Sequence, residues 1–339
     1  MTRNDRKPSR IIFLLVPQVH MLDFAGPLQA IFEAKQFGAR YELHFAATTE
    51  TIRTAQGIQL AGLTAPPRIE AGDMVLVPGM DSAALDHIDA APFAWLRNAH
   101  ESGASVGSIC TGAFVLAKAG LLDGRECTTH WKLTERLQDD FPEANVRRSR
   151  LFVQDERIIT SAGVTSGIDM ALALIESAHG PLIAARVARE MVVYIRRDGH
   201  WRQDSIFLSY RTHLNAGVHR VQDWLITHTD ANPNLDHLAK IAQMSPRHLT
   251  RIFRESTGIT LKTFATQLRL EVATRLLHDP RETVESVAVQ CGYQDARQLR
   301  RIFKKHFGAS PSEWQRERAN LESTSYGHSI RDGFGYRVQ

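Results

Sequence analysis

The sequence predicts an α/β domain with an open parallel sheet, followed by an all-α domain built on two tandem helix-turn-helix units. Three observations predict it. Short apolar runs alternate with helical stretches through the N-terminal part of the chain, the pattern of a parallel sheet with helices on both faces. After about Val218 the strand signals stop and helical periodicity replaces them. Within that last third, a segment repeats itself fifty positions on. A chain of 339 residues has room for both domains. The expected boundaries are 10–195 for the α/β domain, 196–217 for a polar linker, 218–318 for the helical domain and 319–339 for a loosely held tail.

Strands are expected at Arg10–Val16, Tyr41–Ala46, Asp73–Val77, Ser105–Ile109 and Ile158–Ser161. Several are near-continuous apolar runs, as strands buried on both faces are. Helices are expected near Gly26–Gln36, Pro92–Glu101, Gly112–Ala119, Trp131–Asp140, Gly167–Ser177 and Leu182–Ile195. In the last third, Ser245-Pro246 opens a helix, because serine accepts a hydrogen bond from a free N–H and proline at the first position has none to lose. Asp295 caps the equivalent helix of the second copy after a turn at Gly292. Between the copies Thr260 caps a helix Leu261–His278, which Asp279-Pro280 stops. At ~1.5 Å per residue it makes a rod about 27 Å long, near the ~34 Å spacing of successive major grooves.

Composition excludes several classes. With 43% hydrophobic and 23% charged residues the chain is not mostly disordered. No apolar run reaches the roughly eighteen residues of a membrane span, and Ile11–Val16 is too short for a secretory signal. Cys110, Cys127 and Cys291 have neither paired nor zinc-ligand spacing, so no disulfide framework, metal or cofactor is expected and a cytoplasmic setting is. His20, His44, His179, His200 and His213 share no metal-ligand spacing and read as ordinary. The net charge of +4 is uneven: residues 215–320 hold 16 Lys and Arg against 11 Asp and Glu, the remainder 25 against 26. The positive excess lies where a polyanion could be held.

The repeat matches LAKIAQMSPRHLTRIF (Leu238–Phe253) to VAVQCGYQDARQLRRIF (Val287–Phe303), with one extra residue in the second turn. Leu249, Ile252, Phe253, Gly258 and Phe264 correspond to Leu299, Ile302, Phe303, Gly308 and Trp314, and Cys291 is placed opposite Ile241 as an apolar core position. Burying Leu, Ile and Phe leaves Arg247, His248, Thr250, Arg251 and Arg254 outward in one copy. It leaves Arg297, Gln298, Arg300, Arg301, Lys304 and Lys305 outward in the other. Two amphipathic hairpins with solvated faces would explain the helices, but not the duplication of cationic and amide-bearing positions. A helix that enters a major groove needs Arg, Gln or Asn for base edges and Lys or Arg for phosphates.

On these residues the segment from about Val218 to Arg318 resembles an AraC/XylS-type DNA-binding domain. The stretch GYQDARQLRRIFKKHFGASPSEW carries that family's pattern at Gly292, Phe303, Gly308, Pro311 and Trp314. The resemblance implies that Arg247, His248, Arg251, Arg297, Gln298 and Arg301 lie on the reading helices.

In the first domain SVGSICTGAFVLAKAGLLDG (Ser105–Gly124) reads as strand, sharp turn at Cys110-Thr111-Gly112, then helix. Such an elbow holds its residue at the top of the sheet, beside a helix N-terminus that lowers a thiol pKa. Asp23 after the first strand, Gly79 after another, His130 in TTHW and Thr165 in SAGVTSG converge with Cys110 and Thr111 on the crevice of an open sheet. A carboxylate buried there without a partner would be costly, so Asp23 reads as functional. It suits an effector with a cationic or N–H-bearing group. His130 could equally be a core histidine.

Residues 10–195 resemble the PfpI-like, class I glutamine-amidotransferase-like superfamily, and the whole chain resembles the GlxA-family transcriptional regulators. That resemblance maps an elbow nucleophile, an acid and backbone donors to Cys110, Asp23 and the Gly79 and Thr111 amides. Thr111 departs from the histidine of protease-like members, and Met80 from a frequent second glycine, which is expected to crowd the site. Three readings of Cys110 stay open: a small buried residue, a ligand-site thiol, or a nucleophile. The expected function is sequence-specific DNA binding at a promoter operator by a non-enzymatic regulator, with activation the expected sign. A small-molecule effector such as an amino acid or quaternary amine, RNA polymerase and a second copy in a homodimer are the implied partners. The alternatives are a cysteine-dependent hydratase or amidase with an accessory DNA-binding domain, and an architectural DNA-binding protein.

Overall fold

The computed structural model describes residues 9–193, 197, 199, 203, 206, 210–211, 213–277, 279 and 281–316. The expected tail 319–339, half of the expected linker (His200 included), the end of the expected helix at Ile195, and His278 at the end of the rod lie outside the described residues.

The strands in chain order are β1 (Ser9–Leu14), β2 (Tyr41–Ala46), β3 (Thr51–Arg53), β4 (Gln59–Ala61), β5 (Met74–Val77), β6 (Ser105–Ile109), β7 (Glu126–Cys127), β8 (Asn145–Val146), β9 (Phe152–Asp155) and β10 (Ile158–Ser161). Six of them form one sheet in the order β2-β1-β5-β6-β10-β9. Every pairing in it is parallel except β9 with β10. Side chains alternate strictly between the two faces. Ile11, Phe13, Leu15, Met74, Leu76, Ile109 and Ile159 pack into one core with Ile31, Met170, Ile175 and Val187. Ile12, Leu14, Val75, Val77, Val106 and Ile158 pack into another with Leu96, Phe114 and Leu137. The helices that cover these faces are α1 (Met21–Gln36), α2 (Ala91–Glu101), α3 (Gly112–Lys118), α4 (Thr134–Asp140), α5 (Thr165–His179) and α6 (Pro181–Glu190).

Two differences from the sequence reading bear on the site. Helix α1 starts at Met21 rather than near Gly26, with Pro27 inside it, so Asp23 falls in the first turn, where a carboxylate is favoured by the helix dipole. The antiparallel strand β9 and the β3–β4 hairpin are too short to show alternation in sequence. The strand order reverses between β1 and β5, which each run on into the crevice where open α/β sheets bind ligands.

Described residues up to Gln203 group with this unit, and those from Ile206 onward with a second. Within the expected linker, Arg197 pairs with buried Asp169, Gly199 accepts from the Leu151 N–H, and Gln203 bonds Thr128 and Thr129. Ile206 and Tyr210 instead join the second unit's core.

The second unit contains α7 (Ala216–Thr227), α8 (Leu235–Ala242), α9 (Pro246–Thr257), α10 (Leu261–Leu276), α11 (Val284–Gln290) and α12 (Ala296–Phe307), and residues 311–316 are helical. Each of α7–α12 begins at a side chain that accepts from its first turn: Asn215, Asn234, Ser245, Thr260, Thr283 and Asp295. Two cores form. One gathers Val218, Val221, Leu238, Leu249, Phe253, Phe264 and Leu268, the other Leu270, Ala273, Val287, Cys291, Leu299 and Phe303. Helix α10 supplies Phe264 and Leu268 to the first and Leu270 and Ala273 to the second. It is the rod between them, and its sixteen residues give about 24 Å at ~1.5 Å each.

Candidate functional site

The elbow is held by its glycines. Cys110 closes β6 with φ +55°, a left-handed conformation rare outside glycine, and its N–H donates to Ser161 O at 2.9 Å. A Cβ on Gly112 would stand 2.2 Å from Val77 O, one on Gly79 2.6 Å from Asp23 Oδ2, and one on Gly163 2.4 Å from Cys110 Cβ. Gly79 therefore lies against both Asp23 and Cys110, Gly163 against Cys110, and Gly112 against the backbone at the end of β5. Behind the elbow, Thr129 Oγ1 donates to Cys110 O at 2.8 Å, and the Gln203 amide donates to Thr129 O at 3.0 Å.

Asp23 is fully buried. Its Oδ1 accepts the Val164 N–H at 2.6 Å, while Oδ2 accepts no aligned hydrogen bond. His20 Nδ1 stands 3.4 Å from that oxygen, close enough for an ion pair. The Asp23 carboxylate raises the His20 pKa, against the pull of partial burial. His20 is the residue that sequence spacing missed. The available signal was its place three positions before Asp23, one helical turn away at a helix start.

Cys110 is buried, and burial drives its thiol well above the ordinary range, with the facing Asp23 charge adding to the effect. Hydrogen bonds from Thr111 pull the other way but less. The lowering expected from the helix N-terminus is thus opposed by desolvation and by the Asp23 charge. A protonated buried thiol is a poor nucleophile.

The other expected pocket residues divide. Thr111 Oγ1 donates to Met80 O and accepts from Met80 N, both at 2.7 Å, so its hydroxyl locks two loops together. Met80 does not crowd the site, because its side chain is buried in the core beneath α3. His130 is half-buried; its Nδ1 accepts from Lys132 N at 3.4 Å, and burial lowers its pKa while the Asp23 charge opposes this. Thr165 belongs to another group, its hydroxyl accepting from Arg197 at 2.9 Å.

In the second unit the equivalent apolar side chains take equivalent places. Leu249, Phe253, Leu299 and Phe303 are fully buried. Phe253 meets Phe264 edge-on at 5.6 Å and 72°, and Phe303 meets Trp314 edge-on at 5.8 Å and 79°. The turn shifts the expected alignment by one. Gln243 (φ +58°) and Gly292 (φ +68°) share the left-handed position, so Cys291 stands opposite buried Ala242 and not Ile241. Arg247, His248, Thr250, Arg251, Arg254, Arg297, Arg300, Arg301 and Lys304 are exposed and Gln298 is half-buried. Arg251 pairs with Glu255 and Arg300 with Glu285, while Thr250 bonds back to Pro246 O. Among the described residues, Arg247, Arg254, Arg297, Arg301 and Lys304 make no ion pair.

No helix among the described residues is long and apolar enough to cross a membrane. Residues 9–177 match the DJ-1/PfpI family and residues 238–317 the helix-turn-helix domain model. The chain is 33% identical over 307 residues to the HTH-type transcriptional regulator CdhR of Pseudomonas aeruginosa, covering 89% of this chain and 90% of that protein. It is 28% identical to the HTH-type transcriptional regulator GlxA of Rhizobium meliloti, covering 92% and 97%. The first unit alone is similar to the isonitrile hydratase of Pseudomonas putida, 31% identical over 172 residues, covering 50% of this chain and 72% of that enzyme. With matches to both halves and an end-to-end relative, the chain belongs to the GlxA-type, DNA-binding HTH transcriptional regulators, which join an N-terminal DJ-1/PfpI domain to a C-terminal AraC-type helix-turn-helix domain.

Proposed function

We propose that α9 and α12 are the two reading helices of a promoter-binding regulator, and that the first unit senses a small effector. One observation carries the first part. Helices α9 and α12 bury the same two side chains at the same spacing, and this leaves Arg247, Arg251 and Arg254 exposed on one, and Arg297, Arg301 and Lys304 on the other. His248, Thr250, Gln298 and Arg300 complete the two faces. Arg297, Gln298, Arg301 and their equivalents address base edges and nearby phosphates. A dimer in a cytoplasmic setting, contacting RNA polymerase as an activator, is the working form of this reading.

The effector site is the crevice at Asp23, Gly79 and Cys110, with His130 beside it. Its unsatisfied carboxylate oxygen favours a donor or a cation. The chain is read there as a sensor without turnover, a reading supported by the burial of Cys110 and the facing Asp23 charge, both of which disfavour a free thiolate. An effector must bind one state of the protein better than another to alter DNA affinity.

Footprinting tests the first part. Arg251→Ala and Arg301→Ala are each expected to cost about 1–3 kcal/mol of operator affinity. Unchanged discrimination between operator and random DNA in both variants would refute it. A thermal-shift screen of amino acids and quaternary amines on the full chain tests the second, with any hit then measured for its effect on DNA affinity.

A further inference from the structure

A histidine, a carboxylate and a thiol converge at the elbow from two chain segments ninety positions apart. One ligand atom of each of His20, Asp23 and Cys110 lies within 4.8 Å of the other two. The His20 Nδ1 to Asp23 Oδ2 separation is 3.4 Å. Neighbouring ligands of a tetrahedral ion bound at ~2.0–2.3 Å stand roughly 3.3–3.8 Å apart, so this edge already has the right length. Asp23 Oδ2 is buried and, beyond His20 Nδ1 at 3.4 Å, accepts no aligned hydrogen bond, a state that an ion would relieve.

The donor set points to the class of ion. Hard cations such as Mg²⁺ and Ca²⁺ take oxygen ligands throughout, whereas imidazole, carboxylate and thiolate together suit a borderline-soft ion. An ammonium group would gain from Asp23 but little from a thiol and an imidazole. The surroundings hold the donors in place: Gly79 and Gly163 press against Asp23 and Cys110, and Val164 fixes the second carboxylate oxygen.

We propose that His20, Asp23 and Cys110 bind one borderline-soft divalent cation of the Zn²⁺ class, with the fourth coordination position facing solvent beside the partly exposed His20. This rests on the reading of the elbow as a sensing site and names its ligand class. The thiol proton leaves to water as the sulfur–metal bond forms, and no electron moves.

Full-length protein, stripped with chelator, is titrated with CoCl₂ and then with ZnCl₂. One cobalt per chain is expected, with a thiolate-to-cobalt charge-transfer band in the near ultraviolet that zinc abolishes. The band should vanish in Cys110→Ser and weaken at least tenfold in apparent affinity in His20→Ala, whose side chain is 34% exposed and whose folding is checked by its melting curve. Absence of the band in wild type, or its persistence in Cys110→Ser, overturns the proposal. The same chelated protein is screened with metabolites. A metabolite shift without a cobalt band sinks the metal site and leaves the sensing reading standing. A cobalt band with unchanged DNA affinity keeps the metal site and removes its sensing role.

Discussion

Val164 donates its backbone N–H to Asp23 Oδ1 at 2.6 Å, across 141 positions of sequence. The bond ties the first turn of α1 to the start of α5, and Val164 holds φ +52° to make it. Asp23→Asn keeps an acceptor for that part-buried N–H, whereas Asp23→Ala removes it. Alanine is therefore expected to destabilise the first unit by about 1–3 kcal/mol more than asparagine. Urea denaturation of the two variants measures the difference, and equal stabilities would show that the bond contributes nothing.

Gly112 sits against the end of β5. An added Cβ would lie 2.2 Å from Val77 O and 3.1 Å from Pro78 O, both backbone atoms that cannot rotate away. Gly112→Ala is expected to cost at least about 1–3 kcal/mol and to displace the elbow. Gly258→Ala is the contrast, since nothing lies within 4 Å of its added Cβ and only the positive φ is penalised, at about 1 kcal/mol. Thermal denaturation should rank the two in that order.

What could be read in the sequence followed local rules. Ser245, Thr260 and Asp295 are caps because a short polar side chain before a helical run satisfies its free N–H groups, and all three cap as expected. The elbow at Cys110 was legible because an apolar strand, a turn at Cys110-Thr111-Gly112 and a helical run follow one another, while the close approaches at Gly79, Gly112 and Gly163 emerge only in the packed structure. Proximity across the chain was not legible. His20 and Cys110 lie ninety positions apart, and only the parallel pairing of β1, β5 and β6 brings their turns to one edge. The sign of the Cys110 shift was missed for the same reason, since burial and the facing Asp23 belong to the packed sheet and not to the elbow motif. Thr165 carried no signal of Arg197, whose guanidinium takes its hydroxyl.

Cys291 offers a pH test of the second core. Burial pushes its thiol up to about 12. An unfolded thiol ionises near 8.5, so its contribution is complete below that pH and is lost as pH rises toward 12. Between pH 7 and 9.5, wild type should lose about 1–2 kcal/mol more stability than Cys291→Ala, after the constant offset of the substitution is subtracted. Tyr293 beside it is also pushed up to about 12, but ordinarily titrates near 10 and contributes little in this window. Parallel pH profiles of the two proteins would mean that the thiol is already ionised or solvated in the folded state.

Arg254 and Lys304 occupy equivalent positions, three residues beyond Arg251 and Arg301 and toward the C-terminal ends of α9 and α12. In helix-turn-helix recognition the N-terminal residues of the reading helix meet base edges, so this later turn faces phosphates. Each such contact releases a counterion. Lys304→Ala should therefore weaken operator and random DNA alike and reduce the slope of log affinity against log salt by about 0.9. Arg301→Ala should instead erode the preference for operator. Arg251 is held by Glu255 at 2.9 Å, a surface pair worth little in itself. Removing that carboxylate with Glu255→Gln frees the guanidinium and lifts a negative charge from the DNA face, which should tighten binding to both DNAs. Titrations of the three variants at several salt concentrations, on operator and scrambled duplexes, separate the roles. A Lys304→Ala variant whose loss is confined to operator would place that turn on the bases instead.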